Sequence, residues 1–279
     1  MHVIPTDSII IPVNAEAVRQ SGMMIPVDSI PSHIVLKIKR TALYKNHLMM
    51  LEMIAQSDWK RPIYFAVTVG RDNFLNFNDN FSQEGLAYRL TPFQSVQSGS
   101  FVNVDKMYDN LMNRFKFGNI SDPNLYLDQT VRGMCWTHRR MFTVLADELM
   151  RRGDSVRTRK VLEKQEKEIP EYAVTYANNL GGTTEIARLW SRLGEKEKSK
   201  KLLTLLINTS KQYLDWYMLY SANDVNSNAT ECSIRLTEML AAINVMKAEG
   251  MPEAEQYMKL AEEYYGGLTA RGININLGN

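Results

Sequence analysis

Six residues that could contact a ligand lie at or near the ends of strands predicted in the first third of the chain. Ligand sites in open sheets gather at strand ends. A free-standing hydrolase or sugar-modifying enzyme would have its site here, around Glu84 and Arg89. No spacing rule joins the six residues into a catalytic motif, so the pattern predicts contact with a ligand but no particular reaction. They are Trp59, Arg61, Tyr64, Glu84, Tyr88 and Arg89.

Four aromatic residues in the C-terminal half have a spacing that places them on one face of a helix. Tyr213, Trp216, Tyr217 and Tyr220 stand at positions i, i+3, i+4 and i+7. One interpretation is core packing between helical repeats. The other is a partner-binding surface, on which a peptide or a sugar ring stacks against the four side chains.

A basic stretch lies between residues 132 and 164, where nine Lys or Arg residues stand against four Asp or Glu residues. One interpretation is a solvated helix face with intrahelical pairs such as Glu148 with Arg152. The other is a surface that faces phosphate groups or membrane headgroups, where each cation contributes about 1 kcal/mol. The arginines assigned to that surface are Arg139, Arg140, Arg151 and Arg152.

The sequence contains no motif for a cofactor, a metal or an activated nucleophile. A phosphate-binding loop, a nucleophile elbow, a dinucleotide fingerprint and HExxH are all absent from it. The two cysteines, Cys135 and Cys232, are far apart and are expected to be buried free thiols, with a long-range disulfide as the alternative. His138 lies on an apolar helical stripe, where a hydrogen-bonded core residue is expected. We therefore expect no cofactor and no metal.

Charge and hydropathy exclude two further classes. The formal net charge is +2, which gives no argument for a nucleic-acid partner. No apolar run in the sequence reaches the roughly 20 residues that a membrane-spanning helix needs.

Periodicity predicts an α/β domain over residues 1–98. His33–Lys39 alternates as a half-buried strand does, and residues 43–57 follow the helical period. Arg61–Val69 is a nearly unbroken apolar run, typical of a strand covered on both faces. Strand, helix and strand in this order predict a parallel βαβ unit with a right-handed crossover. A third strand is expected over Gly85–Leu90.

Polar segments separate this domain from the rest of the chain. Residues 70–83, rich in Asn, Asp and Phe, are predicted to form a loop. Residues 94–99 are small and polar and are predicted to form a linker. The domain boundary is therefore expected at residue 98, with a second domain over residues 99–279.

The second domain has a helical pattern that recurs. Gly153, Gly194 and Gly250 each separate two amphipathic segments. The placement of small and apolar residues around these turns resembles the tetratricopeptide repeat, whose helix pairs bury their apolar faces by stacking. The predicted fold class is thus two-domain α+β, with a small α/β domain followed by an all-α repeat domain. The repeat-like units lie near residues 135–170, 180–211 and 234–265.

Three segments carry a resemblance to a known family. They are LYKNHLMMLEMIAQSDWKRPIYFAVTVG, FSQEGLAYRLTP and MYDNLMNRFKFGNISDPNLYLDQTVRGMCWTHRRMF. They are similar to the soluble C-terminal region of a bacterial membrane protein family that resembles protein O-mannosyltransferases, polytopic glycosyltransferases of the GT-C type. In that family the membrane helices and the acidic catalytic loop precede this region, and this sequence contains neither. No catalytic residue is therefore assigned to it.

The resemblance implies a non-catalytic binding module, and the free-standing enzyme remains the alternative. Expected partners are the membrane-embedded part of the same polypeptide and a protein or glycan acceptor. The expected location is the extracytoplasmic, periplasmic face of the inner membrane, as part of a longer membrane protein. A chain complete as printed would instead be cytoplasmic.

Overall fold

The chain forms two compact units. The computed structural model describes residues 6–25, 29–38, 42–95 and 101–273. The first unit comprises Met1–Phe115 and the second Lys116–Asn279. Strands and short helices make up the first unit, and the second is helical, which confirms the predicted two-domain α+β class.

The division between the units falls after Phe115, whereas the sequence places the boundary at residue 98. Residues 96–99 of the predicted linker lie outside the described residues. Residues 101–115 belong to the first unit, because a strand at Phe101–Val102 pairs with the sheet of that unit. The Asn110 side chain also donates a 2.7 Å hydrogen bond to the backbone oxygen of Glu84.

One sheet of the first unit has two strands. Strand β1 (Ser8–Pro12) pairs antiparallel with β2 (His33–Lys37). Helix α1 (Ala15–Gln20) follows β1, and α2 (Lys45–Ser57) follows β2. Buried apolar residues of all four elements pack together in one core.

The other sheet contains β3, β4, β5 and β6, at Tyr64–Ala66, Phe81–Gln83, Ala87–Leu90 and Phe101–Val102. Their spatial order is β3-β5-β4-β6. Strand β5 is antiparallel to both of its neighbours, and only β4 and β6 run parallel. Helix α3 (Val104–Asp109) and a π-helical turn at Asn110–Arg114 complete the unit.

The predicted parallel βαβ unit is wrong. The order strand, helix, strand is present as β2, α2 and β3, but β2 and β3 belong to different sheets. The apolar run Arg61–Val69 also yields only the short strand Tyr64–Ala66, because the chain turns after Ala66 with a 3.0 Å hydrogen bond from the Val69 nitrogen to the Ala66 oxygen. The third predicted strand is present as β5.

Residues 70–83, predicted as a loop, build much of the core of the first unit. Two short 3₁₀ turns at Arg71–Phe74 and Phe77–Asn80 lead into β4. The rings of Phe74 and Phe81 lie 5.0 Å apart, centroid to centroid, and those of Phe65 and Phe81 lie 4.9 Å apart. The phenylalanines in this polar stretch are therefore core residues carried by tight turns.

The second unit is mainly helical from Gln129 onward, and a non-helical segment over residues 169–182 separates α5 from α6. Helix α4 spans Gln129–Arg151, α5 Ser155–Glu168, α6 Thr183–Arg192 and α7 Lys196–Met218. A short α8 (Ala222–Ser227) leads into α9 (Ala229–Ala248) and α10 (Ala254–Ala270).

Helices α4 and α5, α6 and α7, and α9 and α10 form consecutive hairpins, and each turns at a predicted glycine. Gly153, Gly194 and Gly250 have φ of +80°, +88° and +71°, a region that glycine enters without strain. The three turns and the helices beside them confirm the predicted helical hairpins. Their classification as tetratricopeptide repeats stays a prediction.

Cys135 and Cys232 are both free and buried. This confirms the first interpretation and excludes a disulfide between them in this structure. Burial raises the pKa of both thiols, so neither has the exposed, ionised character of a reactive cysteine.

A buried carboxylate connects α9 to the segment before α6. Glu238 is 9% exposed and accepts a 2.8 Å hydrogen bond from the Asn179 backbone nitrogen and a 3.1 Å bond from Arg235. Burial raises the pKa of Glu238, although these two donors oppose the rise. The folded protein therefore binds a proton on the Glu238 carboxyl more tightly than the unfolded chain does. The free energy of unfolding falls as pH rises from the unfolded pKa of this carboxyl to its higher folded pKa.

Glu238→Gln should remove this pH-dependent cost while keeping an acceptor oxygen for Asn179. We expect the free energy of unfolding of the variant, relative to wild type, to rise as pH increases above the ordinary glutamate pKa of about 4.3. Urea unfolding at several pH values measures this difference. The exposed carboxylate Glu255, changed to Gln, is the control for the removal of one carboxylate. A Glu238→Gln difference that is constant with pH contradicts the prediction.

Candidate functional site

The second half of α7 divides the predicted aromatic run between the core and the surface. Tyr217 is 7% exposed and packs in the core of the helical unit. Tyr213, Trp216 and Tyr220 are 41%, 49% and 43% exposed, and Leu219 beside them is 83% exposed. We call Tyr213, Trp216, Leu219 and Tyr220 the aromatic face. Tyr217 is therefore a core residue, as the first interpretation expects, and the other three rings are exposed; their binding of a partner stays a prediction.

Ring contacts hold the aromatic face in place. The Trp216 ring lies 5.0 Å from the Tyr220 ring, edge to face, and 4.9 Å from the ring of the buried Tyr217. The Arg235 guanidinium, from α9, lies 4.1 Å from the centroid of the Tyr213 ring. Rings that are already ordered lose little conformational entropy when a partner covers them.

Ion pairs flank the aromatic face on both helices. Lys211 donates a 2.5 Å hydrogen bond to Asp215, whose other oxygen accepts a hydrogen bond from the Tyr264 hydroxyl. Burial would raise the pKa of Asp215, but these two donors outweigh it and hold that pKa below its usual range. On α9, Arg235 pairs with Glu231 at 2.7 Å and with Glu238 at 3.1 Å.

Amide and hydroxyl side chains follow the aromatic face in sequence. The segment from Ser221 to Asn228 reads SANDVNSN and forms α8. Ser221 caps this helix by accepting a hydrogen bond from the Asp224 nitrogen. Asn223 is exposed, and the Asn226 amide donates a 3.0 Å hydrogen bond to the Arg271 backbone oxygen. The segment after the face therefore carries amides and hydroxyls together with one carboxylate, Asp224, which accepts a 2.6 Å hydrogen bond from the Ser221 hydroxyl.

The structure brings together three of the six residues predicted to contact a ligand in the first unit. Tyr64 and Arg89 are opposite each other on β3 and β5, and the Tyr64 hydroxyl donates a 2.9 Å hydrogen bond to Glu84. Burial, and then Glu84, raise the pKa of Tyr64. The other Glu84 oxygen accepts a 3.2 Å bond from the Asn103 amide. Both carboxylate oxygens of Glu84 are thus occupied by protein donors.

Of the other three predicted residues, Trp59 and Arg61 share a small cavity with Arg89, and Tyr88 lies on the opposite face of the strand. Trp59 is 6% exposed and donates a 2.8 Å hydrogen bond to the Pro12 oxygen. Trp59 and Arg61 line a cavity with Arg89 whose volume is about 10 Å³, room for about one water molecule. Tyr88 points to the opposite face of β5 and stacks on Phe81 at 5.6 Å. This cavity cannot admit a sugar or a comparable substrate.

Arg139 does not lie on a membrane-facing surface, so that expectation is wrong. Its side chain is 0% exposed, and its guanidinium donates hydrogen bonds to the backbone oxygens of Ile169, Val174 and Thr175. The Tyr176 ring lies 3.8 Å from the guanidinium carbon. This arginine is a core residue because the segment after α5 supplies enough acceptors to bury it.

The other three arginines of the predicted membrane-facing set are exposed, but two of them are paired. Arg151 and Arg152 both bind Glu148, and the Arg152–Glu148 distance is 2.8 Å. This confirms the predicted intrahelical pair. Arg140 is exposed on the same helix. A role of these three residues at a membrane stays a prediction.

The described residues contain neither a membrane-spanning helix nor a metal centre. Across the described ranges, no helix combines the length and the apolar character that crossing a bilayer requires. In the same part of the chain, no group of three or more His, Cys, Asp or Glu side chains is placed to hold a metal ion.

Sequence reasoning missed Leu219, which belongs to the aromatic face, and Arg235, which packs against it. Leu219 directly precedes Tyr220, but no periodic pattern indicates that the side chain at the end of α7 projects into solvent. Arg235 lies 22 positions beyond Tyr213, and only the packing of α9 on α7 brings the two together. Neither residue had a sequence signal by itself.

Comparison with known proteins finds similarity only in the first part of the chain. Residues 1–108 match the family described as TMEM260-associated domain 2. The match covers less than half of the chain and ends inside the first unit. No match was found among curated proteins, and none among solved structures.

Proposed function

We propose that this chain is a non-catalytic binding module of a glycosyltransferase-related membrane protein, and that the aromatic face holds its acceptor. The observation that carries the proposal is the exposure of three ordered aromatic rings and Leu219 on the last turns of α7 and the two residues that follow it. Monomeric proteins seldom expose such clusters unless a partner covers them. Trp and Tyr are also the residue types on which binding energy concentrates.

The family match supports the link to glycosylation. TMEM260 is classed as a protein O-mannosyltransferase, and the first unit matches a domain associated with it. This agrees with the resemblance of residues 43–142 to the extracytoplasmic region of such enzymes. The proposed partners are accordingly a membrane-embedded part of the same polypeptide and a protein or glycan acceptor, at the extracytoplasmic face of the membrane.

The geometry around Glu84 favours the module over the enzyme. An enzyme site needs a pocket that buries most of its substrate, commonly about 300–1,000 Å³. The cavity beside Arg89 is about 10 Å³. Glu84 is 5% exposed, and each of its oxygens already accepts one hydrogen bond, from Tyr64 and from Asn103.

Kinetics of the membrane-bound, full-length protein test the proposal. Membranes that contain it are supplied with a labelled mannosyl donor, and transfer is measured against acceptor concentration. Trp216→Ala should raise the acceptor KM about tenfold and leave kcat unchanged, because it removes binding that is equal in ground and transition states. Glu84→Gln should change neither value.

An exposed tyrosine outside the aromatic face provides the matched control. Tyr126, in the segment before α4, is 82% exposed, and Tyr126→Ala should leave both kinetic constants unchanged. If Glu84→Gln abolishes kcat while the thermal midpoint is unchanged, the enzyme alternative is correct. Wild-type kinetics for Trp216→Ala would remove the aromatic face from the function.

A further inference from the structure

The groups around the aromatic face indicate the class of its ligand. We infer that the face binds a neutral carbohydrate chain, an inference that rests on the proposed function and makes it more specific. Three features of the described residues carry it: the state of the charges on α7 and α9, the amide and hydroxyl groups of the segment after the face, and the size of the apolar surface.

The charges near the face are engaged with one another. In the second half of α7 the charged residues are Lys211 and Asp215, which bind each other at 2.5 Å. On the facing part of α9, Arg235 bridges Glu231 and Glu238. An anionic ligand would need cations free to form charge-assisted bonds. Within the described part of α7 and α9, every cation beside the face already has a carboxylate partner. Arg271, directly after α10, donates instead to the Gly267 and Met218 backbone oxygens.

The polar segment after the face suits a ligand with many hydroxyl groups. Each sugar hydroxyl both donates and accepts, and an amide side chain offers both functions. Asn223 is exposed, and its amide makes no hydrogen bond to other described residues. The Asn226 amide nitrogen donates to the Arg271 oxygen, which leaves its carbonyl oxygen as an acceptor. Donors and acceptors therefore follow Tyr220 directly in the chain.

The apolar surface itself matches a sugar better than a protein. A pyranose ring has an apolar face of C–H groups and a polar edge of hydroxyls, so one ring covers one exposed aromatic side chain. Trp216 is held at an angle of 74° to Tyr220, which leaves the two rings presenting separate faces. A stable protein interface takes roughly 20–30 residues a side, far more than four side chains provide. This argues against a second copy of the chain as occupant.

Binding of neutral oligosaccharides to the 279-residue chain tests the inference. The probes are mannotetraose, cellotetraose and maltotetraose, with a sulfated tetrasaccharide for comparison. Isothermal titration gives the dissociation constant, and NMR follows the indole N–H signal of Trp216. We expect at least one neutral probe to bind, to shift that signal, and to bind equally well at low and high salt, because no ion pair is formed.

Variants locate the binding. Trp216→Ala and Tyr220→Ala should each weaken binding about tenfold, equivalent to about 1.4 kcal/mol. Tyr126→Ala should leave it unchanged. Both rings on the face are half exposed, so their removal leaves the core intact, and a circular dichroism spectrum equal to that of wild type verifies this.

Several results would overturn the inference: no binding of any neutral probe, tighter binding of the sulfated probe, or a dimer in sedimentation that Trp216→Ala converts to a monomer. The outcome is separable from that of the proposed function. If no sugar binds but Trp216→Ala still raises the acceptor KM in membranes, the face binds an acceptor that is not a glycan. If Trp216→Ala affects neither measurement, both proposals fail.

Discussion

Arg139→Ala is expected to lower the free energy of unfolding of the helical unit by about 4 kcal/mol or more. The substitution leaves the oxygens of Ile169 and Val174 without their donor, and the Thr175 oxygen keeps only a long, 3.5 Å hydrogen bond from the Trp136 indole. Each buried polar group that loses its partner costs about 1–3 kcal/mol. The loss of the guanidinium over the Tyr176 ring adds about 2 kcal/mol when that contact is desolvated. Relief of the buried charge offsets part of the sum.

The surroundings of Arg139 hold a buried charge through carbonyl oxygens and an aromatic ring. Burial lowers the pKa of Arg139, and burial raises the pKa of Tyr176 to about 12. Gly181 lies so close that a Cβ added there would meet the Arg139 Cδ at 2.8 Å. The glycine at 181 is therefore explained by the path of the arginine side chain, which crosses the space that a larger residue would occupy.

Urea unfolding followed by far-ultraviolet circular dichroism measures the effect, because that signal comes mainly from the helical unit. Arg140→Ala is the matched control: it is the adjacent residue on α4, but exposed, and should stay within about 0.5 kcal/mol of wild type. Arg139→Lys should fall between the two, because an ammonium lacks the planar fork of donors that serves several carbonyls at once. A loss below about 1 kcal/mol for Arg139→Ala would mean that the three carbonyls find other donors.

Helical periodicity predicts that one face of α4 is buried. Residue type misleads the choice of the residues on that face, as Arg139 shows. Cys135, Arg139 and Phe142 stand at i, i+4 and i+7, and all three are buried. The sequence assigned His138 to this stripe and Arg139 to the surface, because an arginine is seldom buried. Its acceptors lie at least 30 positions further along, in a segment without periodicity. No local sequence pattern predicts that these acceptors lie near Arg139.

The hairpins of the second unit were predictable for the opposite reason. Their determinants are local: a glycine at each turn and apolar residues at helical spacing on either side. Leu145 and Leu149 before Gly153, and Leu162 after it, are fully buried as the spacing predicts. A helix satisfies its backbone within itself, so its existence does not depend on a distant partner.

Strand pairing in the first unit depends on such distant partners, and there the prediction failed. The alternation of His33–Lys37 correctly predicts a half-buried strand, but it carries no information about which strand lies beside it. The partner is β1, with Ile9 opposite Leu36, and not β3. In the candidate site, likewise, the spacing of the aromatic residues fixed one face of α7. Which ring faces inward was decided by the packing of α9.

Phe65→Ala is expected to destabilise the first unit by about 3–5 kcal/mol, the usual cost of removing a large buried aromatic side chain. Phe65 is 8% exposed and lies at the centre of the cluster: its ring is 5.8 Å from that of Phe74 and 4.9 Å from that of Phe81. Truncation therefore leaves a cavity between rings that the short strands β3 and β4 hold in fixed positions, and such a site cannot collapse to fill it.

The effect should be confined to the first unit, since each unit has its own core. Hydrogen exchange followed by mass spectrometry resolves it. The amide of Leu90, which donates a 2.9 Å bond to the Ile63 oxygen, should exchange faster in Phe65→Ala, whereas amides of α9 should not change. The exposed Thr68, two positions after β3, is the control, and Thr68→Ala should leave both sets of amides as in wild type. Equal acceleration in α9 would mean that the two units unfold together, and unchanged exchange at Leu90 would place Phe65 outside the core that stabilises this sheet.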